Sequence, residues 1–213
     1  LVYKFLQQFY SNIDYYIPDR YDEGYGVSKK GIDFAHQTGV KLIIILDCGI
    51  KAIQEIEYAK SLGIDFIICD HHVPDDVMPP AVAILNPKRP DDPFPFKHLC
   101  GCGVGFKFMQ AFAKNNNIPF SRLIPLLDFC AVSIAADIVP VVDENRILAF
   151  HGLKLLNTNP SIGLKSIIDI CGLNGRELSM SDIVFKIGPR ITASGRMENG
   201  KLSVDLPVER DYS

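Results

Sequence analysis

The sequence IDFIICDHH, from Ile64 to His72, decides the fold of this chain. Its apolar run, Phe66–Cys69, is typical of a parallel strand that is buried on both faces. Side chains just beyond the carboxyl end of such a strand point into the crevice where open α/β sheets bind ligands. The triplet Asp70–His72 fills that position with one carboxylate and two imidazoles, groups that bind divalent metals or transfer protons. The alternative is a solvated turn, but three such residues in a row favour a functional site.

A second strand with the same kind of ending precedes this one. Leu42–Leu46 is a run of aliphatic residues followed at once by Asp47, and Gly49 permits a tight turn. Ile50–Ser61 has the apolar spacing of a helix, so strand, helix and strand form a βαβ unit with a right-handed crossover. Asp47 and the Asp-His-His triplet therefore belong at one edge of a parallel sheet. The predicted class is α/β, a parallel sheet flanked by helices and followed by a mostly helical C-terminal half.

The remaining pattern completes the sheet and then turns helical. We expect strands at 13–17 and 81–85, and helices at 1–9, 28–37, 106–114, 123–136, 144–156, 163–170 and 181–187. Loop 18–26 either only connects two elements or lines the crevice. We predict an α/β part over residues 1–114 and a helical part of the same core over residues 115–213, ending in a linker. The chain starts without Met inside an amphipathic pattern, so we also expect a first strand before Leu1 to be missing.

The composition is that of an ordinary globular protein. The chain has 213 residues, of which 47% are hydrophobic and 22% charged, with a net charge of −3. Nucleic-acid binding would therefore need a local basic patch, since no basic tail is present. No apolar run approaches the length of a membrane span, and the N-terminal residues lack the pattern of a signal peptide. Six cysteines without a C-x-x-C pair indicate reduced thiols in a cytoplasmic protein.

Three further stretches offer candidate site residues. Asp137 lies near the end of an apolar helix, where a carboxylate needs a partner, either a metal or a salt bridge or cap. The run Cys100–Gly105 predicts a glycine-rich turn that opens a helix, and its N–H groups either hold an anion or allow close packing. The run Gly188–Met197 combines two arginines with glycine and hydroxyl residues. It is either a phosphate-binding loop or a solvated linker.

These motifs together resemble the DHH phosphoesterase superfamily. Leu46–Gly49, Cys69–His72 and Ala135–Pro140 look like its second, third and fourth motifs. The run Leu85–Pro90 leading into Leu99–Lys107, together with Gly188–Met197, is similar to the RecJ branch. The resemblance covers essentially the whole chain. Its first motif, a strand ending in Asp-x-Asp, is absent, as are the associated C-terminal domain and the oligonucleotide-binding fold, so the chain resembles a truncated catalytic core.

The resemblance implies a metal-dependent exonuclease that digests single-stranded DNA from the 5′ end in repair and recombination. Two Mn²⁺ or Mg²⁺ ions would lie about 3.5–4 Å apart. Asp47 would bridge them, and His71 and Asp137 would complete the shell of one ion. His72 would face the phosphate, while Asp70 would either bind metal or orient a histidine. We expect Asp47, His71 and Asp137 to lie within a few ångströms of one another, and this chain alone to be metal-poor and nearly inactive.

The expected partner is single-stranded DNA, with a single-strand-binding protein as a further partner. The residues expected to contact its phosphates are Arg190, Ser194 and Arg196, with the N–H groups of Gly101 and Gly103 on the same phosphate. Two alternatives stay open. One is a DHH hydrolase of short oligonucleotides, cyclic dinucleotides or pyrophosphate. The other is a non-catalytic relative that serves as a replication scaffold, against which the retained aspartates and histidines argue.

Overall fold

The sheet consists of three parallel strands in the order β1-β2-β3. The computed structural model describes residues 1–19 and 21–197, and for residues 192 and 194–197 it describes the backbone alone. The strands are β1 (Leu42–Leu46), β2 (Asp65–Cys69) and β3 (Ala83–Leu85). Leu42 pairs with Asp65, and Ile67 pairs with Ala83, so all three carboxyl ends meet at one edge. This arrangement confirms the predicted class.

Nine α-helices surround and follow the sheet within the described part of the chain. They are α1 (Val2–Leu6), α2 (Lys29–Gln37), α3 (Ile53–Ser61), α4 (Gly101–Asn115), α5 (Leu127–Ala136), α6 (Asp143–Thr158), α7 (Ile162–Ile170), α8 (Met180–Asp182) and α9 (Gly188–Met197). Short 3₁₀ turns occupy Phe120–Arg122 and Ile124–Leu126, and a π-helical turn occupies Ile183–Ile187. None of the described helices is long and apolar enough to cross a membrane.

Both faces of the sheet are covered, which explains its uninterrupted apolar strands. Ile45 and Phe66 belong to a core cluster with residues of α2 and α3. Their neighbours Ile44 and Ile67 pack on the other face, against a cluster built from α1, α4 and α5. Successive side chains of a strand point to opposite faces, so a strand between two helical layers needs apolar residues at every position.

The helical half packs around α5, which is buried nearly all round. α6 lies close against it at Gly152, where an added Cβ would lie 2.7 Å from the Cβ of Ala131. A second core cluster joins these helices to α7, α8 and the π-helical turn. The boundary expected at residue 114 falls at the end of α4, and the division of the chain into two parts stays a prediction.

The strand expected at 13–17 is wrong, because this segment is irregular. Its aromatic residues are β-prone but are used in side-chain contacts. The ring of Tyr15 packs edge-on against Tyr3, with their centroids 5.0 Å apart. The Tyr16 hydroxyl donates to the Glu23 carboxylate at 2.8 Å, and its ring contacts Phe34. Tertiary contacts therefore override the strand propensity of this segment.

Two segments expected as loops are helical. The glycine-rich run after Cys100 is the first turn of α4, and the Cys100 thiol caps it by accepting the N–H of Gly103 at 3.2 Å. The run after Gly188 is α9 rather than a loop. Gly188 packs closely here, since an added Cβ would lie 3.7 Å from the Cβ of Ala136 and 3.2 Å from the Ile183 carbonyl oxygen. Glycine at both places serves helix packing rather than a turn.

Candidate metal centre

Asp47 ends β1 in an unusual backbone conformation. Its N–H still donates to the carbonyl of Cys69 at 2.8 Å, which extends the pairing of β1 with β2 by one residue. Its φ angle is +65°, a left-handed value that aspartate adopts rarely and at an energetic cost. Gly49, with φ +96°, completes the sharp turn. The chain thus leaves β1 abruptly, and the carboxylate of Asp47 stays at the sheet edge beside the end of β2.

Asp70, at the end of β2, is a buried carboxylate whose acceptors are all in use. Its side chain is only 1% exposed. It accepts the N–H groups of Ile50, His71 and His72 at 3.0, 2.7 and 3.1 Å, and Nδ1 of the His72 ring at 2.7 Å. Burial pushes the pKa of Asp70 up, but the hydrogen bonds, with that of His72 the strongest, hold it below its usual value. This geometry favours the orienting role for Asp70 over metal binding, because it fixes the His72 ring and leaves Nε2 of that ring available.

His71 is held in a defined tautomer by the loop before α4. Its ring is 12% exposed, and Nδ1 lies 3.1 Å from the carbonyl oxygen of Leu99. Because a carbonyl only accepts, Nδ1 must carry a proton, and Nε2 of the neutral ring is then a lone-pair donor. That nitrogen lies 3.1 Å from Oδ1 of Asp47. Two groups with lone pairs therefore face each other.

The carboxylate of Asp47 has a buried oxygen atom that could bind a cation. Its Oδ1 atom is buried and has no hydrogen-bond donor in the described structure. The contact between Oδ1 and Nε2 of His71 becomes a hydrogen bond only if Nε2 also carries a proton. Asp47 favours this protonated form and so raises the pKa of His71, whereas burial lowers it. Oxygen and imidazole nitrogen together suit Mn²⁺, and oxygen suits Mg²⁺. A cation bound here would satisfy both groups at once.

His72 completes a group of three possible metal ligands. One ligand atom each from Asp47, His71 and His72 lie within 4.8 Å of one another. The sequence instead grouped Asp47 and His71 with Asp137 and assigned His72 to the phosphate. The structure thus brings His71 and Asp47 together as expected, and adds His72 to them.

Asp137 lies beside this group, at the C-terminal end of α5. Its Oδ2 accepts the Ser133 hydroxyl at 3.2 Å, and the N–H of Gly101 also donates to it. Burial raises the pKa of Asp137, and the negative charge of Asp47 raises it further, while His71 acts in the opposite direction. Asp137 therefore adds negative charge in the neighbourhood of Asp47 and His71, while its carboxylate lies outside the group of three possible ligands. A shared cation would remove the repulsion between the two carboxylates.

Gly101 provides room for Asp47 rather than an anion site. A Cβ at this position would lie 2.8 Å from the Cβ of Asp47 and would overlap its carboxylate. The N–H of Gly101 already donates to Asp137, and that of Gly103 to the thiol of Cys100. The expected contact of these two N–H groups with a phosphate stays a prediction.

The three residues expected to bind DNA phosphates lie on α9. Arg190 is exposed, and its Nη1 donates to the carbonyl of Lys186 at 3.0 Å. The side chains of Ser194 and Arg196 lie outside the described residues. Their contacts with substrate stay predictions.

Two contacts to the site were not anticipated from the sequence. The hydroxyl of Tyr25 donates to the main-chain carbonyl of Asp47 at 3.2 Å, so loop 18–26 does reach the crevice. The side-chain amide of Asn86 donates to the carbonyl of His72 at 2.8 Å. The sequence held two signals for these contacts. Tyr25 is flanked by glycines, and Asn86 directly follows β3.

Comparisons with known proteins find relatives of this chain. The model of the DHH family, N-terminal domain, matches residues 1–134. The single-stranded-DNA-specific exonuclease RecJ of Escherichia coli (strain K12) is 38% identical over 206 residues, which is 92% of this chain and 36% of that protein. The RecJ of Bacillus subtilis (strain 168) is 39% identical over 206 residues, 97% of this chain and 25% of that protein. The chain therefore spans about a third or less of these relatives.

Solved structures show the same fold. A crystal structure of exonuclease RecJ bound to manganese superposes with a TM-score of 0.85 at 27% identity, covering 97% of this chain and 51% of that one. RecJ from Thermus thermophilus in complex with Mn²⁺ superposes with a TM-score of 0.74 at 26% identity, covering 86% of this chain and 27% of that one.

Proposed function

This chain belongs to the DHH family, and on that premise we propose that it is the catalytic core of a metal-dependent exonuclease acting on single-stranded DNA. Relatives to which it is similar are named as single-stranded-DNA-specific exonucleases. The proposed cofactor is Mn²⁺ or Mg²⁺, and the proposed reaction is hydrolysis of a phosphodiester bond from the 5′ end. Its setting would be DNA repair and recombination in the cytoplasm.

The observation that carries this proposal is the contact between Asp47 and His71. A buried carboxylate oxygen without a donor faces an imidazole nitrogen at 3.1 Å, and the other ring nitrogen is already bonded to a carbonyl. Asp137 adds a second negative charge to the same place. This concentration of lone pairs and negative charge suits a divalent cation, and it repels a phosphodiester unless a cation is bound.

The chain's own residues would divide the work as follows. Asp47, His71 and Asp137 would hold metal, with His72 close enough to join them. When bound, divalent cations offset the charge of the phosphate and make water a better nucleophile. Asp70 would stay ionised and hold Nδ1 of His72, so that Nε2 of that ring faces either the metal or the phosphate. Gly101 would keep the space that the Asp47 carboxylate needs.

Substrate contacts are proposed for α9. Arg190 and Arg196 can donate in pairs to phosphate oxygens, and Ser194 can add a hydroxyl donor. Arginine side chains on α9 would hold the phosphate backbone of a single strand. A single-strand-binding protein that delivers the substrate is the further partner we propose.

The test has two arms, metal binding and digestion. Calorimetry with Mn²⁺ on this chain should show weak binding that the Asp47→Asn substitution lowers further, by at least about tenfold. A longer protein that carries this chain, and this chain alone beside it, should then be given long single-stranded DNA labelled at either end, a duplex, a dinucleotide and pyrophosphate. We expect Mn²⁺-dependent release of nucleotides from the 5′ end of the single strand by the longer protein, and little or none by this chain alone. Preference for the dinucleotide or pyrophosphate would overturn the substrate assignment, and absence of Mn²⁺ binding would overturn the metal centre.

A further inference from the structure

The loop after β3 contains a buried amide that contacts the metal centre. Asn86 follows β3 directly, at the sheet edge where β1 and β2 also end, and it is 1% exposed. Its Nδ2 donates to the main-chain carbonyl of His72 at 2.8 Å, and its Oδ1 accepts the N–H of Lys88 at 2.9 Å. One side chain therefore links the segments that follow two neighbouring strands.

His72 is consequently held from two directions. Asp70 holds the ring through Nδ1 and the main-chain N–H, at 2.7 and 3.1 Å. Asn86 holds the carbonyl on the other side of the same residue. The His72 side chain is half-exposed, so core packing alone does not define its position. These hydrogen bonds replace packing as the source of rigidity.

The loop that carries Asn86 is itself well anchored. The guanidinium of Arg89 donates through Nη1 to the carbonyl of Ile84 at 2.8 Å and pairs with the carboxylate of Asp91. Pro87 restricts the backbone between Asn86 and Lys88. A rigid loop can transmit the position of β3 to His72, whereas a mobile loop could not.

We infer that Asn86 is a positioning residue for His72, setting the geometry of this ligand through its main chain. The inference rests on the proposed metal centre and adds the loop after β3 to it. An amide is required because the position needs a donor for His72 and an acceptor for Lys88. Aspartate offers only the acceptor, and a buried carbonyl left without a donor is costly.

The chain contains a matched control for this role. Asn157 links α6 to the segment before α8 in the same manner, since its Nδ2 donates to Leu178 at 3.1 Å and its Oδ1 accepts the Leu178 N–H at 2.7 Å. Leu178 is not a proposed site residue. Asn157 is only partly buried, so comparing Asn86→Ala with Asn157→Ala separates the loss of a bridging amide from the loss of a contact to the site.

The test measures amide exchange and metal affinity in both variants. Hydrogen exchange followed by NMR on the metal-free chain reports the His71 and His72 N–H groups, which donate to Asp70. We expect Asn86→Ala to speed their exchange roughly tenfold relative to the rest of the chain. Calorimetry should show Mn²⁺ binding weakened by about 10–100-fold, the range for groups that orient metal ligands. Asn157→Ala should lower Tm and change neither quantity.

The two readouts separate the inference from the proposed function. If the unmodified chain binds no Mn²⁺, the proposed metal centre fails, yet the exchange rates still test whether Asn86 holds His72. Unchanged exchange at His71 and His72 in Asn86→Ala, or a loss of protection spread evenly over the chain, would overturn the inference. If Asn86→Ala does not fold, Asn86→Asp is measured instead. This variant keeps the acceptor for the Lys88 N–H and lacks only the donor to the His72 carbonyl.

Discussion

The Nε2 atom of His71 lies 3.1 Å from Oδ1 of Asp47, and the opposite ring nitrogen faces the carbonyl oxygen of Leu99 at the same distance. The Leu99 contact places the ring proton on Nδ1. The contact to Asp47 is therefore unfavourable in the neutral state and favourable once a proton or a metal cation lies between the two atoms. We therefore propose that these two residues, from neighbouring strand ends, act as one cation-binding unit.

Replacing Asp47 by Asn should weaken Mn²⁺ binding by at least about tenfold, because the charge that faces His71 is lost while the side-chain shape is kept. The measurement is calorimetry, supported by thermal unfolding, in which Mn²⁺ should raise the Tm of the unmodified chain more than that of the variant. Asp76→Asn is the control, since Asp76 is an exposed aspartate on the loop after β2. Equal affinities for Asp47→Asn and the control would contradict the assignment.

Gly101→Ala should abolish Mn²⁺ binding while the fold is kept. The new methyl group would overlap the Asp47 carboxylate and displace it from His71. Gly103→Ala is the matched control in the same helical turn. Its Cβ would meet Cys100 Sγ at 3.3 Å, a contact that small shifts can relieve. The Mn²⁺ affinity of each variant is measured by titration. A Gly101→Ala variant with normal affinity would show that Asp47 need not occupy this position.

Arg190→Ala should weaken binding to single-stranded DNA and make it less sensitive to salt. Loss of one phosphate contact lowers the slope of log K against log salt by about 0.7 for a single strand. Fluorescence anisotropy with a labelled oligonucleotide at several salt concentrations measures that slope. Lys60→Ala, which removes an exposed cation from α3, should leave it unchanged. If both variants behave alike, α9 is not a specific phosphate contact.

Asp182 should make stability depend on pH in the acidic range. Its carboxylate pairs with Arg176 and accepts from Ser179 at 3.0 Å, and these contacts, with Arg176 first, lower its pKa. A lowered pKa in the folded state means that the stabilisation is complete above the unfolded value of about 4 and disappears as the pH falls below it. The difference in Tm between the unmodified chain and Asp182→Asn should thus be largest near neutral pH and shrink in acid. Asp169→Asn, an exposed position on α7, should show no such pattern.

Much of the fold could be predicted because its signals are local. The apolar runs at Leu42–Leu46 and Phe66–Cys69 and their polar endings indicated parallel strands sharing one edge, and the structure has both. The failures came where local signals conflicted with packing. The β-prone segment 13–17 uses its tyrosines in tertiary contacts. The runs that begin at Gly101 and Gly188 are helical, and a Cβ at Gly101 would overlap the Asp47 carboxylate, so glycine there reflects close packing rather than a turn.

For the site, the sequence by itself determined which residues could bind a cation and which strand ends would carry them. It did so because residue type sets the available ligand atoms, and parallel strands bring their carboxyl ends together. Only the tertiary structure decided how those atoms are arranged. The proton of His71 is assigned by a carbonyl 28 residues away, and the main chain of His72 is held by an amide 14 residues away. Hydrogen bonds between such distant segments leave no periodic pattern in the sequence, so the orientation of each ligand becomes visible only when the chain is folded.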